Sequence, residues 1–305
     1  MVMTHDWSGG LTSISDLDRT DVLKLFKLVD NCIKGKYEKI GLERVIGLLF
    51  FEPSTRTRLS FEVAAHKIGA YPLVVHDPST LSISKGESME DTLRILGNYC
   101  DILILRHKDP KTIGKAIRYA GVPVINAGSG SVEHPTQSLI DIYTVYKFRG
   151  NPDGLTFGIM GDLKHSRAVH SLIMLLTKFD NVKLKLISPK GLELDEPFRK
   201  SIESEIVLEE ISDIRSIISE LDVLYIVRLQ KERFKENYEK YISSYSISPE
   251  ILKKCKEDLL ILAPLPRTWE LPPSIDSLPQ AKYFQQASFG VPVRMAILIS
   301  ILRAL

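Results

Sequence analysis

Apolar positions along this chain fall into two recurring patterns. Some form short continuous runs, and others return at every third or fourth residue between turn-forming positions. A short run bounded by turn residues reads as a strand buried on both faces, and the longer spacing as a helix with one buried face. The runs Val45–Phe51, Tyr71–Val75, Asp101–Leu105 and Pro123–Ala127 are predicted strands. Helices are predicted from Ser15-Asp16-Leu17-Asp18 to about Asn31, after Ser54, from Ser88 to Tyr99, from Lys111 to Tyr119, and from Glu133–Gln137 through Tyr143 and Tyr146. The helix after Ser54 carries Phe61, Ala64, Ala65 and Ile68 on one face and stops at Gly69. Strands and helices alternating with short links imply a parallel sheet.

The alternation resumes after Gly150-Asn151-Pro152-Asp153-Gly154, the clearest break in composition and the expected hinge. Strands are predicted at Leu155–Gly161, Val182–Ile187, Val223–Val227 and Leu259–Leu262. Helices are predicted from Arg167 to Lys178, around Pro197–Ser204 and at Ile211–Leu221. The final segment, Pro292–Leu305, predicts an apolar helix that packs back across both halves, since a short helix in water is marginal alone. The expected fold class is α/β, with two doubly wound parallel-sheet domains. Residues 1–149, completed by a C-terminal helix at 289–305, form the first domain, and residues 150–288 the second. The length of 305 residues suits two domains of about 150 residues each.

Composition narrows the class further. Hydrophobic residues at 44% and charged residues at 26% are ordinary globular values. A net charge of +2 spread along the chain lacks the basic footprint of a nucleic-acid binder. Cys32, Cys100 and Cys255 are far apart, with no metal-ligand spacing, and read as packed thiols. No apolar signal core opens the sequence and no apolar run approaches the length of a membrane span. A soluble, cytoplasmic protein without metal, cofactor, nucleic acid or membrane partner is therefore expected.

Candidate chemistry gathers where strands end. Phe50-Phe51-Glu52-Pro53-Ser54-Thr55-Arg56-Thr57-Arg58 joins a strand to a helix. The first turn of that helix offers unpaired N–H groups, Ser54 is a natural N-cap, and Arg56 and Arg58 add forked cationic donors. Ligands of open α/β sheets bind beyond the carboxyl ends of the strands. Three such ends carry Ser54–Arg58, Arg106 and His134–Gln137. Donors converging there describe a small phosphate-bearing ligand with a carbonyl to polarise. In the second half, Arg228-Leu229-Gln230-Lys231-Glu232-Arg233 follows a strand, and Ala263-Pro264-Leu265-Pro266-Arg267 is an expected extended turn with the Leu265 carbonyl outward. The serine-rich segment His76–Glu87 is long for a connection and reads as a functional loop. The G-x-G-x-x-G fingerprint and the Walker A motif are both missing, which argues against a dinucleotide or nucleotide enzyme.

Taken in order, Ser54–Arg58, the Ser82…Lys85-Gly86-Glu87 loop, Arg106-His107, His134-Pro135-Thr136-Gln137, Gly161-Asp162-Leu163-Lys164…Arg167, Arg228–Arg233 and Pro264–Arg267 resemble the catalytic chains of aspartate carbamoyltransferases, within the aspartate/ornithine carbamoyltransferase superfamily. The resemblance implies transfer of a carbamoyl group from carbamoyl phosphate to L-aspartate, an early step of pyrimidine biosynthesis. It implies a carbamoyl-phosphate domain, an aspartate domain and an active site in the cleft between them. By the same resemblance, Ser54, Thr55, Arg56 and Thr57 hold the phosphate. Thr57, Arg106 and His134 donate to the carbamoyl oxygen, while Gln137 and the Leu265 carbonyl, with Pro266 beside it, hold the NH2 group. Arg167, Arg228 and Gln230 match aspartate-binding residues. Lys85 and Ser82 match a loop that enters the neighbouring site of a homotrimer, although Ser79, Ser82 and Ser84 crowd that loop. Glu52 and Arg233 match residues of domain closure, Glu52 also suiting a simple helix start. A separate regulatory chain in a larger allosteric holoenzyme is a further partner the resemblance leaves open.

This chemistry needs no covalent nucleophile, because preorganised donors can stabilise the charge that builds on the carbonyl oxygen and the departing phosphate. One departure from the family pattern is Ala263, where a histidine often stands. The rival reading is ornithine carbamoyltransferase. Against it, the closing turn lacks that family's cysteine, and Arg228-Leu229-Gln230 suits a second carboxylate better than an alkylammonium. A non-catalytic scaffold should have lost Arg56, Lys85 or His134, and all three are present.

Overall fold

The computed structural model describes residues 5–75, 77–229 and 245–305. The chain divides into two compact units, Met1–Ile140 with Phe289–Leu305, and Asp141–Ser288.

The first unit is built on strands β1 (Gly10–Leu11), β2 (Val45–Phe50), β3 (Tyr71–Val75), β4 (Ile102–His107) and β5 (Val124–Ser129). All pair in parallel, in the order β1-β5-β4-β2-β3. From β2 the chain first winds outward to β3 and then crosses back to β4 on the other side. The neighbours β2 and β4 therefore flank the switch point, where doubly wound sheets bind ligands. Helices α1 (Arg19–Ile33), α2 (Thr55–Lys67), α3 (Met89–Tyr99) and α4 (Lys111–Tyr119) are the crossovers. Helices α3 and α4 share one core cluster with Leu49, Leu103, Leu105 and Val124. The strands are near-continuous apolar runs because both faces of the sheet are covered.

The second unit repeats the plan with β6 (Thr156–Met160), β7 (Lys183–Ile187), β8 (Val207–Glu210), β9 (Val223–Ile226) and β10 (Leu260–Leu262), in the order β10-β9-β6-β7-β8. Its switch point lies between β6 and β9. Helix α5 (Pro135–Arg149) runs through the division at Ile140/Asp141. Helices α6 (Arg167–Leu176), α7 (Glu196–Ile202), α8 (Pro249–Leu252) and α9 (Tyr283–Ser288) follow, and α10 (Gly290–Leu302) closes the chain. The division falls inside α5, and Asp141, the first residue past it, is fastened within the second unit. Its carboxylate accepts from Tyr225 Oη at 2.8 Å and Gln286 Nε2 at 2.6 Å, and all three side chains are buried.

Three sequence expectations change. Ile211–Leu221 is not a helix: only a single 3-10 turn, Ile214–Ser216, forms, capped by Asp213. Ile214, Ile217, Ile218 and Leu221 still point into the core, which is what produced their helical spacing. The edge strands β1 and β8 had no apolar run to announce them; β8 reads Val-Leu-Glu-Glu and is mostly exposed. Finally, Tyr283–Leu302 is long and apolar enough to cross a membrane by length and composition, against expectation, yet 67% of its most apolar 18-residue stretch is buried inside the protein. Within the first unit α10 packs on α1 and α2 as a core helix.

Candidate active site

Strand β2 ends beside β4 with Phe50 in register with Arg106, and Phe51 N donates to Arg106 O at 2.9 Å. The chain then turns through Glu52 and Pro53 into α2. Ser54 occupies the N-cap position with extended φ, but its hydroxyl does not cap the helix. It accepts instead from Arg106 Nη1 at 3.3 Å. By contrast Asp18, Ser88, Ser166, Asp195 and Ser248 cap α1, α3, α6, α7 and α8 with their side chains. The N–H groups at the head of α2 are thus kept from a side-chain cap, which suits an anion.

Arg106 is the hub of this corner. Its Nε lies 3.4 Å from Glu52 Oε2, with the two side chains 14% and 28% exposed. That pairing is within the first unit and was not foreseen from the sequence, which assigned Glu52 to closure. A slip in the β4–β5 register between Leu105 and His107 places an extra residue on β5 beside Arg106. Such bulges redirect side chains near functional sites. His107 braces the same strand end, its ring edge-on to Phe51 at 5.3 Å and its Nδ1 accepting from Asp109 N at 2.9 Å.

His134 stands at the head of α5, where its carbonyl accepts from Gln137 N and Ser138 N. Its Nε2 is 3.3 Å from Thr57 Oγ1 of α2, and both residues are buried. Arg294, a lone cation in the apolar α10, braces the two helix heads. It donates to Thr136 Oγ1 at 3.3 Å and its guanidinium lies 4.9 Å from the centre of the Phe61 ring. Sequence reading passed over it, although a charge inside an otherwise apolar helix was the available signal. Thr55 and Arg56 are exposed on the first turn of α2, and Gln137 is half-buried on the first turn of α5. Partial desolvation draws the Arg56 guanidinium below its ordinary pKa, from a value so high that it stays cationic at neutral pH. Arg58, expected as a second donor, pairs with Glu62 one turn along α2 at 3.3 Å.

The structure therefore brings Glu52, Ser54, Thr57, Arg106 and His134 together. Ser82 and Lys85 are not joined to that cluster. The segment after β3 is two 3-10 turns, Pro78–Thr80 and Ser82–Lys85, the second ended by Gly86 in the left-handed region at φ 96°. Both side chains are exposed, and among the described residues Lys85 makes no ion pair.

In the second unit, β6 and β9 end side by side. Gly161 closes β6 with φ 129°, and a Cβ there would stand 2.0 Å from Val227 O, so only glycine fits. Beyond it the buried Asp162 accepts from His165 N at 3.0 Å, and Ser166 caps α6, whose first residue is Arg167. Arg228 follows β9, half-buried beside the buried Leu229. Gln230 and Arg233 lie outside the described residues. The turn after β10 is not simply extended: Leu265 is left-handed at φ 53° and its bond to Pro266 is cis. The backbone leading into it is held by Ala263 N donating to Gln286 Oε1 at 2.8 Å.

Chemically, the first unit offers an uncapped helix start for an oxyanion, with Arg106, Thr57 and His134 ranged beside it as donors to a neighbouring oxygen. The second unit offers cations beyond its own switch point, suited to a carboxylate. Among the described residues no group of three or more His, Cys, Asp or Glu side chains is placed to hold a metal ion.

Known proteins match the chain in two consecutive parts. Residues 10–147 match the aspartate/ornithine carbamoyltransferase, carbamoyl-P binding domain, and residues 153–301 match the Asp/Orn binding domain of the same family. The aspartate carbamoyltransferase catalytic subunit of Archaeoglobus fulgidus is 45% identical over 298 residues, covering 96% of this chain and 98% of the relative. That of Thermoplasma acidophilum is 43% identical over 298 residues, covering 96% and 97%. Among solved structures, the catalytic subunit of M. jannaschii aspartate transcarbamoylase superposes with a TM-score of 0.90 at 38% identity, covering 97% of this chain and 98% of that one. Aspartate transcarbamoylase from Trypanosoma cruzi, in complex with N-(phosphonacetyl)-L-aspartic acid, gives 0.91 at 33% identity, covering 98% of each chain. With both domains matched in order and the relatives aligned nearly end to end, this chain belongs to the aspartate/ornithine carbamoyltransferase family.

Proposed function

We propose that this protein transfers the carbamoyl group of carbamoyl phosphate to the amine of L-aspartate, giving N-carbamoyl-L-aspartate and phosphate. The observation that carries the reading is the meeting of the α2 start, Arg106 and His134 at the first switch point. There the phosphate sits against the N–H groups of Ser54–Thr57 with Arg56. Thr57, Arg106 and His134 donate to the carbamoyl oxygen, and Gln137 with the Leu265 carbonyl takes the NH2 group. Arg167, Arg228 and Gln230 take the aspartate carboxylates.

The amine attacks the carbamoyl carbon, a C–N bond forms, the bond from that carbon to the phosphate oxygen breaks, and the proton lost by the attacking nitrogen leaves with the phosphate. Negative charge grows first on the carbonyl oxygen and then on the leaving phosphate, so donors fixed before the reaction lower the barrier without reorganising. Holding both substrates in register supplies a further part by proximity. Aspartate is preferred to ornithine as acceptor because its second carboxylate needs cations, which Arg167 and Arg228 provide, and because the relatives compared above are named for aspartate.

The exposed Lys85 loop is assigned to the neighbouring subunit's site in a cytoplasmic homotrimer. The activity is tested by mixing the purified chain with carbamoyl phosphate and either L-aspartate or L-ornithine, and following carbamoylated product and phosphate. Turnover confined to ornithine would overturn the assignment. Mixing inactive Lys85→Ala and Arg56→Ala subunits should restore part of the activity, because some mixed trimers carry one intact shared site. No recovery would place Lys85 in its own chain's site.

A further inference from the structure

The residue before His134 is tied to a part of the chain 120 positions away. The Glu133 carboxylate accepts from Ser13 Oγ at 2.9 and 3.1 Å and from Ile14 N at 2.9 Å. We propose that Glu133 is a positioning residue for the reaction, fastening the loop that presents His134 to the buried N-terminal segment. This rests on the carbamoyl-transfer reading above.

The direction of the tether decides which partner it serves. The N-terminal segment is secured without Glu133. Gly10 and Leu11 pair with β5, Asn126 Nδ2 donates to Thr12 O at 3.0 Å, Ser13 and Asp16 form a capping box, and Leu11 and Ile14 are wholly buried. The loop from Gly130 to Glu133 is the short link that leads to His134. Gly130 is in the left-handed region at φ 50° and Val132 is 47% exposed; the loop's backbone ties include Gly130 N donating to His107 O at 3.0 Å, Val132 N to Ser129 O at 3.0 Å, and an isolated bridge between Ser129 and Glu133. The carboxylate ties that loop to the N-terminal segment, one residue before the imidazole whose Nε2 stands 3.3 Å from Thr57 Oγ1. Its position also has a cost, since burial pushes its pKa up from the ordinary 4.5. A carboxylate kept there despite desolvation is held by its two donors, the Ser13 hydroxyl and the Ile14 N–H.

The test is a cycle of Glu133→Ala, Ser13→Ala and the double variant, with Glu133→Gln as the conservative rescue. For Glu133→Ala, kcat/KM for carbamoyl phosphate should fall about tenfold or more, a displaced group of about 1 Å costing on the order of 100-fold. Ser13→Ala should fall in the same direction, and the double variant should be no worse than Glu133→Ala, as expected of coupled partners. Glu133→Gln, which still offers an amide oxygen, should recover most of the loss. Binding of inorganic phosphate by calorimetry should stay within about twofold, because the α2 start is untouched.

Losses that multiply in the double variant, a Glu133→Ala enzyme within twofold of the parent, or phosphate binding that weakens in step with kcat would each overturn the proposal. Should Glu133→Ala fail to fold, an unchanged Ser13→Ala enzyme would do the same. If the parent chain itself does not turn over, the carbamoyl-transfer reading fails. The imidazole resonances of His134, identified by their loss in His134→Ala, then decide: a shift in Ser13→Ala and Glu133→Ala supports the tether, and no shift refutes it.

Discussion

Replacing Arg106 by alanine separates catalysis from stability at one residue. The side chain is 14% exposed; Glu52 lies 3.4 Å from Nε, and Ser54 takes a 3.3 Å hydrogen bond. Both contacts are long, and Glu52 is still partly solvated, so their loss should cost on the order of 1 kcal/mol of folding free energy, near the upper end for exposed ion pairs. The effect on turnover should be far larger. A preorganised donor aimed at developing charge contributes about 2.7–4 kcal/mol, or roughly two to three decades in kcat. The assay pairs steady-state rates at saturating L-aspartate with urea unfolding, where a constant m-value licenses comparison of midpoints. Arg106→Lys keeps the charge but cannot reach Glu52 and Ser54 together through a planar fork, so its rate should fall between the two. An alanine variant that loses less than tenfold in kcat, or whose rate falls only as far as its stability does, would refute Arg106 as a donor to the carbamoyl oxygen.

Further outcomes follow from the rest of the structure. Tyr225→Phe removes the donor to the buried Asp141 carboxylate and should cost about 1.5–3 kcal/mol in urea unfolding; a change below 0.5 kcal/mol, on the order of a surface substitution, would contradict the network. Hydrogen bonds from Arg267 and then Tyr283 hold the Asp276 carboxyl down at about 2, against an ordinary 3.8. A depressed folded pKa stabilises the fold above the ordinary value, and that share is lost as pH falls from 3.8 toward 2. Acid unfolding of Asp276→Asn should therefore be flatter across that window, and an unchanged slope would count against the pairing. Burial pushes the Cys32 and Cys100 thiols up to about 11, while Cys255 is only half-buried. Iodoacetamide on the native protein should label Cys255 first by mass spectrometry, and prior labelling of either buried thiol would be the contrary result.

What could be read from the sequence followed from burial on both faces of a parallel sheet. The inner strands β2, β4, β5, β6 and β9 are apolar almost throughout, so each announced itself as a run, and the polar residues just past their ends marked the ligand side. The edge strands β1, only two residues long, and β8, which reads Val-Leu-Glu-Glu, carry no such run, whereas β3 and β10, also edges, do. Apolar spacing misled at Ile211–Leu221, where four core-facing residues keep helical spacing although the backbone makes only one 3-10 turn.

The sequence by itself determined the inner sheet strands, the residue types at the switch points and, through its motifs, the family. Local chemistry suffices there, since hydrophobic period and strand-end composition are properties of short windows. Only the tertiary structure decided what those residues do to one another. Ser54, a good cap by sequence, turns its hydroxyl to Arg106; Glu52 pairs with the same arginine; Thr57 meets His134. Glu133 reaches Ser13, and Asp141 reaches Tyr225 and Gln286. Each of these contacts joins elements distant in the chain, and directional hydrogen bonds exist only once the sheets have set those elements side by side.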